Sequence, residues 1–341
     1  MKVVPVQEAE GMVLCHDITE IIPGKVKRSA FRKGHVVCKD DIPTLLNLGK
    51  DHLYVWEINQ NILHENEAAE RVARLVAGTG IELSEAREGK VELKATISGL
   101  LKINTQALGE INQLEQIAVV TIHSNQLVSV GKTVAACKII PLVIENNYIY
   151  HIEEVGCSSW PLVEVKGLRH LKIGIVITGN EVYYGRIKDQ FGQVLQRKIL
   201  EWGSDALPPI YVPDDVNRIS DAIHELLDVG AEMIVTTGGM SVDPDDVTPK
   251  GIRLSGGRIV TYGTPTMPGA MFMLAYLGEV PVMGLPGCVM YHKTTIFDLL
   301  APRVLAGEVL TRQDIIHLAH GGLCAVCEEC RYPDCGFGKG S

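Results

Sequence analysis

From Lys172 to Gly287 the chain alternates short β-branched runs, each halted by glycine, with stretches whose apolar residues recur every three or four positions. "LKIGIVITGNE" supplies Ile173, Ile175, Val176 and Ile177 before Gly179, a run short and branched enough for a strand covered on both faces. "DQFGQVLQRKILEWG" follows, with Phe191, Leu195, Ile199 and Trp202 on one helical face and Gly203 as the stop. The unit then repeats: "PPIYV" as a strand, Asp214 or Asp215 as N-cap, and Val216, Ile219, Ile223 and Leu226 on one face ahead of Gly230. "AEMIVTTGG" and "VPVMGLPG" read as two further strands ending in glycine. Alternation at this spacing predicts an α/β fold, a doubly wound parallel sheet spanning 168–310.

Residues 1–165 lack that regularity. Short β-like runs precede a helix over "NEAAERVARLVAG", with Ala69, Val72, Ala73 and Val76 on one face and Gly78 as its stop, and the segment reads as one or two smaller α+β modules. No low-complexity linker follows, so the boundary near Gly167 rests on the change of pattern. Residues 311–341 read as a short helix, "TRQDIIHLAHGG", leading into a cysteine-rich tail. A chain of 341 residues suits two or three such domains.

Glu8 and Glu10 interrupt what would be the apolar core of a secretory signal, and no apolar run approaches the roughly 18 residues of a membrane span. The expectation is a cytoplasmic protein. In a reducing compartment the nine cysteines are not read as disulfides, and Cys15, Cys38, Cys137 and Cys157 are expected to be small buried side chains. A formal net charge of -9 argues against a broad nucleic-acid surface. It leaves room for an anionic small molecule, because backbone N–H groups in glycine turns hold phosphate without net positive charge.

In an open parallel sheet, ligands bind beyond the carboxyl ends of the strands. Three glycine-bearing ends fall there: Thr178, Gly179 and Glu181 in "TGNE", Thr237, Gly238 and Gly239 in "TTGG", and Gly284, Pro286 and Gly287 in "GLPG". Any one of these turns needs glycine for local reasons, but three at corresponding ends point to a phosphate-bearing ligand. Carboxylates crowd the same ends: Asp189, Asp214, Asp215, Asp243, Asp245 and Asp246. They suit Mg²⁺, which takes one or two protein carboxylates together with phosphate oxygens, although N-capping accounts for Asp189 and for one of Asp214 and Asp215.

These motifs resemble the molybdopterin-binding domain shared by molybdopterin adenylyltransferases, molybdopterin molybdenumtransferases and gephyrin. "TTGGMSVDPDDVTP" is similar to the adenylyltransferase motif, and "VPDD" to its second acidic motif. The resemblance implies Asp215 and Asp246 as Mg-ATP and catalytic aspartates, with Gly238, Gly239 and Thr248 at the pterin phosphate and Ser241 as a further cofactor-binding residue. "ITGNEVYYGRIKDQFGQVL", "GLPGCVM", the Pro268–Gly269 pair in "YGTPTMPGAMF" and the opening "AEGMVLCHDIT" resemble the molybdenumtransferase branch instead. That branch carries basic residues where this chain has Gly263, Met267 and Ala270, has Asp-Ser-Asn where this chain has "DQF", and has Asn-Pro where this chain has Cys288-Val289. A molybdate dianion in a dry pocket needs charge-assisted donors, so the resemblance carries further for pterin binding than for metal insertion.

The tail "CAVCEECRYPDC" places Cys324, Cys327, Cys330 and Cys335 within twelve residues. Structural zinc sites space two CxxC knuckles a dozen or more residues apart, whereas three cysteines two residues apart resemble the CxxCxxC run of ferredoxins. A [4Fe-4S] cluster, Zn²⁺ or a metal-free tail are the readings left open. The closing "GFGKG" reads as a mobile end, with Arg331 and Lys339 available to an acidic partner.

The expected function is therefore in molybdenum-cofactor synthesis, with molybdopterin as substrate or ligand, Mg²⁺, and ATP or adenylylated pterin. The alternative is a non-catalytic carrier that hands the cofactor to a molybdoenzyme apoprotein. A homo-oligomer is implied by the resemblance alone. A similar glycine-and-aspartate domain also occurs in competence-damage nicotinamide mononucleotide deamidases, whose deamidase activity resides in a separate domain with no counterpart in this sequence.

Overall fold

The computed structural model describes residues 2–22, 26–55, 61–159 and 161–340. They form two compact units. The first comprises Met1–Thr96, Ile103–Ile122 and Gly131–Glu164, the second Ile97–Lys102, His123–Val130 and Val165–Ser341.

The second unit contains a seven-stranded sheet. Lys172–Thr178 pairs in parallel with Asp205–Ala206, Ile210–Val212 and Met233–Thr237, and Met233–Thr237 pairs in parallel with Val280–Leu285. The period-two alternation of the first strand decides which helices cover which face. Ile173, Ile175 and Ile177 pack with Leu195 and Ile199 and with the helix Ile296–Leu305, whereas Val176 faces Ile219, Ile223 and Leu226 of the helix Val216–Asp228. Gly174 falls on that second face, where a Cβ would stand 2.8 Å from Leu226 Cδ1, so glycine admits the helix. Each of the four buried branched side chains stabilises the fold by about 1.5–3 kcal/mol.

The doubly wound α/β expectation holds, with one addition. Met273–Leu277 runs antiparallel to Val280–Leu285 and pairs with Arg258–Tyr262, so one edge of the sheet is antiparallel. Leu277 sits opposite Val280, leaving Gly278 and Glu279 as a two-residue hairpin turn, and Gly278 has φ +59°. Trp202 ends the helix Phe191–Glu201 and meets the Phe297 ring edge-on at 5.1 Å.

Two segments far upstream also belong to the second unit, where Gly99–Leu101 pairs antiparallel with Gln126–Val128. The chain end packs on this unit too. Phe337 is buried in its core, the Gly338 N–H donates to Gly321 O at 2.9 Å, and buried Lys339 donates through Nζ to Gln126 Oε1 at 2.8 Å. The expectation of a mobile end with Lys339 free for a partner is overturned, because an aromatic ring and a hydrogen-bonded ammonium are both taken out of water there.

The first unit holds a four-stranded antiparallel sheet ordered Ile81–Leu83, Lys90–Ala95, Thr133–Ile139, Ile117–Thr121. The helix Glu65–Val76 buries Ala69, Val72, Ala73 and Val76, and His64 caps it by accepting the Asn66 N–H at 3.1 Å. Lys2–Pro5 and His52–Val55 form an antiparallel pair with a small core of their own around Leu14 and Leu45. Cys15 and Cys137 are buried as expected, but Cys38 is exposed; the Cys157 side chain lies outside the described residues. Among the described residues no helix is long and apolar enough to cross a membrane.

Candidate functional site

Three strand ends of the second unit finish in register, because Ile177 pairs with Thr237 and Thr237 with Leu285. The backbone turns sharply beyond each. Gly179 has φ +135°, Gly238 +95° and Gly239 +54°, conformations that side chains other than glycine rarely adopt. Gly238 is also pressed against its neighbour, since a Cβ there would stand 2.2 Å from Thr178 O. Beneath it, buried Thr178 and Thr248 share a hydroxyl–hydroxyl hydrogen bond at 2.9 Å. Thr237 is fully buried and its hydroxyl has no hydrogen-bond partner.

Over these turns lies a cavity of about 740 Å³. Of the residues singled out in the sequence, Glu181, Gly238, Gly239, Ser241, Asp246, Pro286 and Gly287 line it. Thr178, Gly179, Thr237 and Thr248 form the layer beneath. Gly284 is a packing position, where a Cβ would meet Met240 Cε at 2.6 Å. Gly269, next to Pro268, is likewise packed, its would-be Cβ 2.6 Å from Ile296 Cβ, and Met271 of the same segment reaches the cavity. Asp189 accepts the Phe191 N–H at 2.8 Å and the Tyr211 hydroxyl at 3.1 Å, at the start of the helix Phe191–Glu201.

The two adjacent aspartates divide their work. Asp215 is exposed and caps the helix Val216–Asp228 by accepting the Arg218 N–H at 2.9 Å. Asp214 turns to the site and accepts the Asn180 N–H at 2.9 Å. Burial, partly offset by that bond, together with the charges of Glu181, Asp245 and Asp246, pushes the Asp214 carboxyl above its ordinary value. Asp246 closes its own turn by accepting the Asp243 N–H at 3.1 Å. Like charges held this close are what a divalent cation relieves, so the donor set fits Mg²⁺ bound by one or two carboxylates plus ligand phosphate. Among the described residues no three ligand side chains converge as a complete protein-only site.

Sequence reasoning missed Lys188, among the described residues the one basic side chain on this cavity, and the flat or polarisable wall of Phe191, Met240, Met290 and Tyr291. Phe191 had been assigned to the helix core by periodicity, and the others follow glycine turns where no period exists.

The first unit has a separate cleft of about 440 Å³ lined by His16, Asp17, Lys33, His64, Glu65 and Arg87 among others. Burial lowers both histidines and raises Glu65. His64 accepts at Nδ1 from Asn66, so Nε2 carries its proton, 2.7 Å from Cys15 O.

Comparison with known proteins adds identity to part of this geometry. Residues 3–57 match a domain of unknown function, and residues 174–306 match a family described as a probable molybdopterin binding domain. A CinA-like protein of Mycobacterium avium (strain 104) is 35% identical over 77 residues, 23% of this chain and 18% of the relative. The chain thus spans less than a fifth of the length of the curated relatives it matches first. Among solved structures, the tungsten cofactor synthesizing protein MoaB from Pyrococcus furiosus is similar at 20% identity and a TM-score of 0.33, over 40% of this chain and 92% of that one. The molybdopterin biosynthesis MoeA protein from Pyrococcus horikosii is similar at 15% identity and a TM-score of 0.35, over 89% and 74%. Residues 174–306 belong to the probable molybdopterin-binding domain family.

Proposed function

We propose that the second unit binds molybdopterin in the cavity of about 740 Å³, with Mg²⁺ between its phosphate and the acidic wall, as a protein of molybdenum-cofactor synthesis. The observation that carries this is that Glu181 and Asp246 line the cavity over the glycine strand ends, with the Asp214 carboxylate beside them, raised by their charges and held by the Asn180 N–H. In this reading the phosphate lies against the backbone of Gly238, Gly239 and Ser241, which approaches closely because no side chain intervenes. Phe191, Met240 and Tyr291 offer apolar contact to the pterin ring. Asp246 and Asp214, rather than exposed Asp215, are the aspartates assigned to Mg²⁺ and to adenylyl transfer from ATP, a reaction that rests on positioning and charge neutralisation.

A carrier that hands the cofactor to a molybdoenzyme apoprotein is the second reading. It is favoured by one feature: among the described residues Lys188 is the sole basic residue on the cavity, too little to hold molybdate for insertion. Homo-oligomerisation belongs to either reading.

The test is incubation of purified protein with molybdopterin and Mg-ATP. Adenylylated pterin, abolished in Asp246→Asn and Asp214→Asn, supports the enzymatic reading. Stoichiometric pterin binding without turnover supports the carrier, and absence of pterin binding rejects both.

A further inference from the structure

The four tail cysteines were left by the sequence among three readings, and the second unit narrows them. Both ends of the cysteine loop are tied down. The Cys324 N–H donates to Met267 O at 2.8 Å and the Met267 N–H to Gly322 O at 2.8 Å, while Phe337 and Gly338 anchor the far end as described above. In between, the Tyr332 hydroxyl donates to Asp298 O at 3.1 Å, and Cys324, Tyr332 and Cys335 pack on the core. The loop is therefore a folded part of the unit.

This fold turns Cys324, Cys327, Cys330 and Cys335 onto one cavity of about 470 Å³. Val326, between the first two, has φ +51°, a conformation strained for a β-branched residue and one that persists where the surroundings impose it. Cys327 and Cys330 are exposed, and the Thr294 hydroxyl lies 3.5 Å from Cys330 Sγ. Among the described residues, Lys293 and Arg331 stand on the same cavity against Glu328 alone, which suits a site made anionic by four thiolates.

Zinc draws four thiolates to about 2.3 Å from one point. Here the four cysteines line a cavity of about 470 Å³, far more room than a single ion takes. The spacing agrees, because three ligands two residues apart in a single loop match cluster ligation and not two separate knuckles. We propose that Cys324, Cys327, Cys330 and Cys335 ligate a [4Fe-4S] cluster in this cavity. The cluster would share a wall with the pterin cavity, since Tyr291 lines both. The ligand assignment itself does not depend on the pterin reading.

The experiment is anaerobic purification of the full chain, reconstitution with ferrous iron and sulfide, and metal and acid-labile sulfide analysis. Roughly four iron and four sulfide per chain are expected, with a broad visible absorption bleached by dithionite. Cys327→Ser and Cys330→Ser alter exposed positions, so both variants should keep the wild-type circular dichroism while losing at least half the iron; Cys38→Ser, exposed elsewhere, should lose none. One zinc per chain without sulfide, no metal after reconstitution, or full iron in the Cys327→Ser/Cys330→Ser double variant overturns the proposal. Pterin binding is measured on the same samples, so a failed cluster and a failed pterin site give different results.

Discussion

Asp214 and Asn180 hold each other: the Asn180 N–H donates to Asp214 Oδ2 at 2.9 Å, and the Asp214 N–H points to Asn180 Oδ1 at 3.4 Å. This reciprocal pair joins the turn after one strand to the turn after its neighbour, and it keeps a carboxylate among Glu181, Asp245 and Asp246. A carboxyl raised above its ordinary 3.8 costs folding stability at neutral pH, and the cost fades as pH falls through the raised value and is gone below 3.8. Asp214→Asn keeps an oxygen for the Asn180 N–H but removes the charge. The variant should therefore be more stable than the parent at neutral pH in metal-free buffer, with the gain gone below pH 3.8, and its Mg²⁺-dependent ligand binding should fall. Thermal melts across pH with and without Mg²⁺ check this; a variant less stable at neutral pH would show that the carboxylate is structural.

Gly238 and Gly287 separate backbone demand from ligand approach. Gly238→Ala meets both a positive φ and Thr178 O at 2.2 Å, so it should cost more than the roughly 1–3 kcal/mol of left-handed strain alone and abolish pterin binding with it. Gly287 has nothing within 4 Å of a would-be Cβ and lines the cavity, so Gly287→Ala should melt like the parent while weakening pterin. Urea titrations beside binding isotherms read the two effects. Equal behaviour of the two variants would remove Gly287 from the site.

The strands Lys172–Thr178, Ile210–Val212 and Met233–Thr237 and the helices Phe191–Glu201 and Val216–Asp228 were legible because their apolar periods are clean, and Ile173, Ile175 and Ile177 announce a covered face unaided. The choice between Asp214 and Asp215 was not, since both precede Val216 and only the backbone path decides which carboxylate reaches the Arg218 N–H. The hairpin at Gly278 hid inside "FMLAYLGEVPVMGL", where both strands are buried and the alternation that marks a half-exposed strand is missing. Gly338 and Lys339 sit in a glycine-rich end, a composition that reads as flexible, and their neighbours Leu299 and Gln126 are remote in sequence. Glycines at 238, 239 and 287 line the cavity, but glycine alone does not tell Gly284, which makes room for Met240, from one that faces the cavity.

Lys198 and Asp298 form a buried ion pair, each side chain about a tenth exposed, whose remaining partners differ. Asp298 also accepts from Thr295 N at 2.7 Å in a capping box, whereas among the described residues Lys198 has beyond it only Lys293 O at 2.8 Å. Asp298→Ala strands a buried ammonium and removes the cap, so a loss of about 3–5 kcal/mol is expected. Lys198→Met leaves a carboxylate still hydrogen-bonded and should cost clearly less. Chemical denaturation of both variants decides, and the reverse order would contradict the assigned roles.

Asp314 gives the second unit a pH dependence opposite in sign to that of Asp214. Burial favours the neutral acid, but the Thr311 hydroxyl and N–H, and Arg303 Nη2 at 2.6 Å, outweigh it and hold the carboxyl at about 2, against 3.8 ordinarily. A lowered carboxylate contributes stability that is complete above 3.8 and is lost as pH falls towards 2. The stability gap between the parent and Asp314→Asn should therefore be constant from neutral pH down to about 4 and shrink between there and 2. Because Arg303 keeps Glu308 at 2.8 Å, the variant should still fold, which makes the gap measurable by denaturation at each pH. A gap that stays flat through pH 2 would mean that the bonds to Arg303 and Thr311 do not depend on the charge of Asp314.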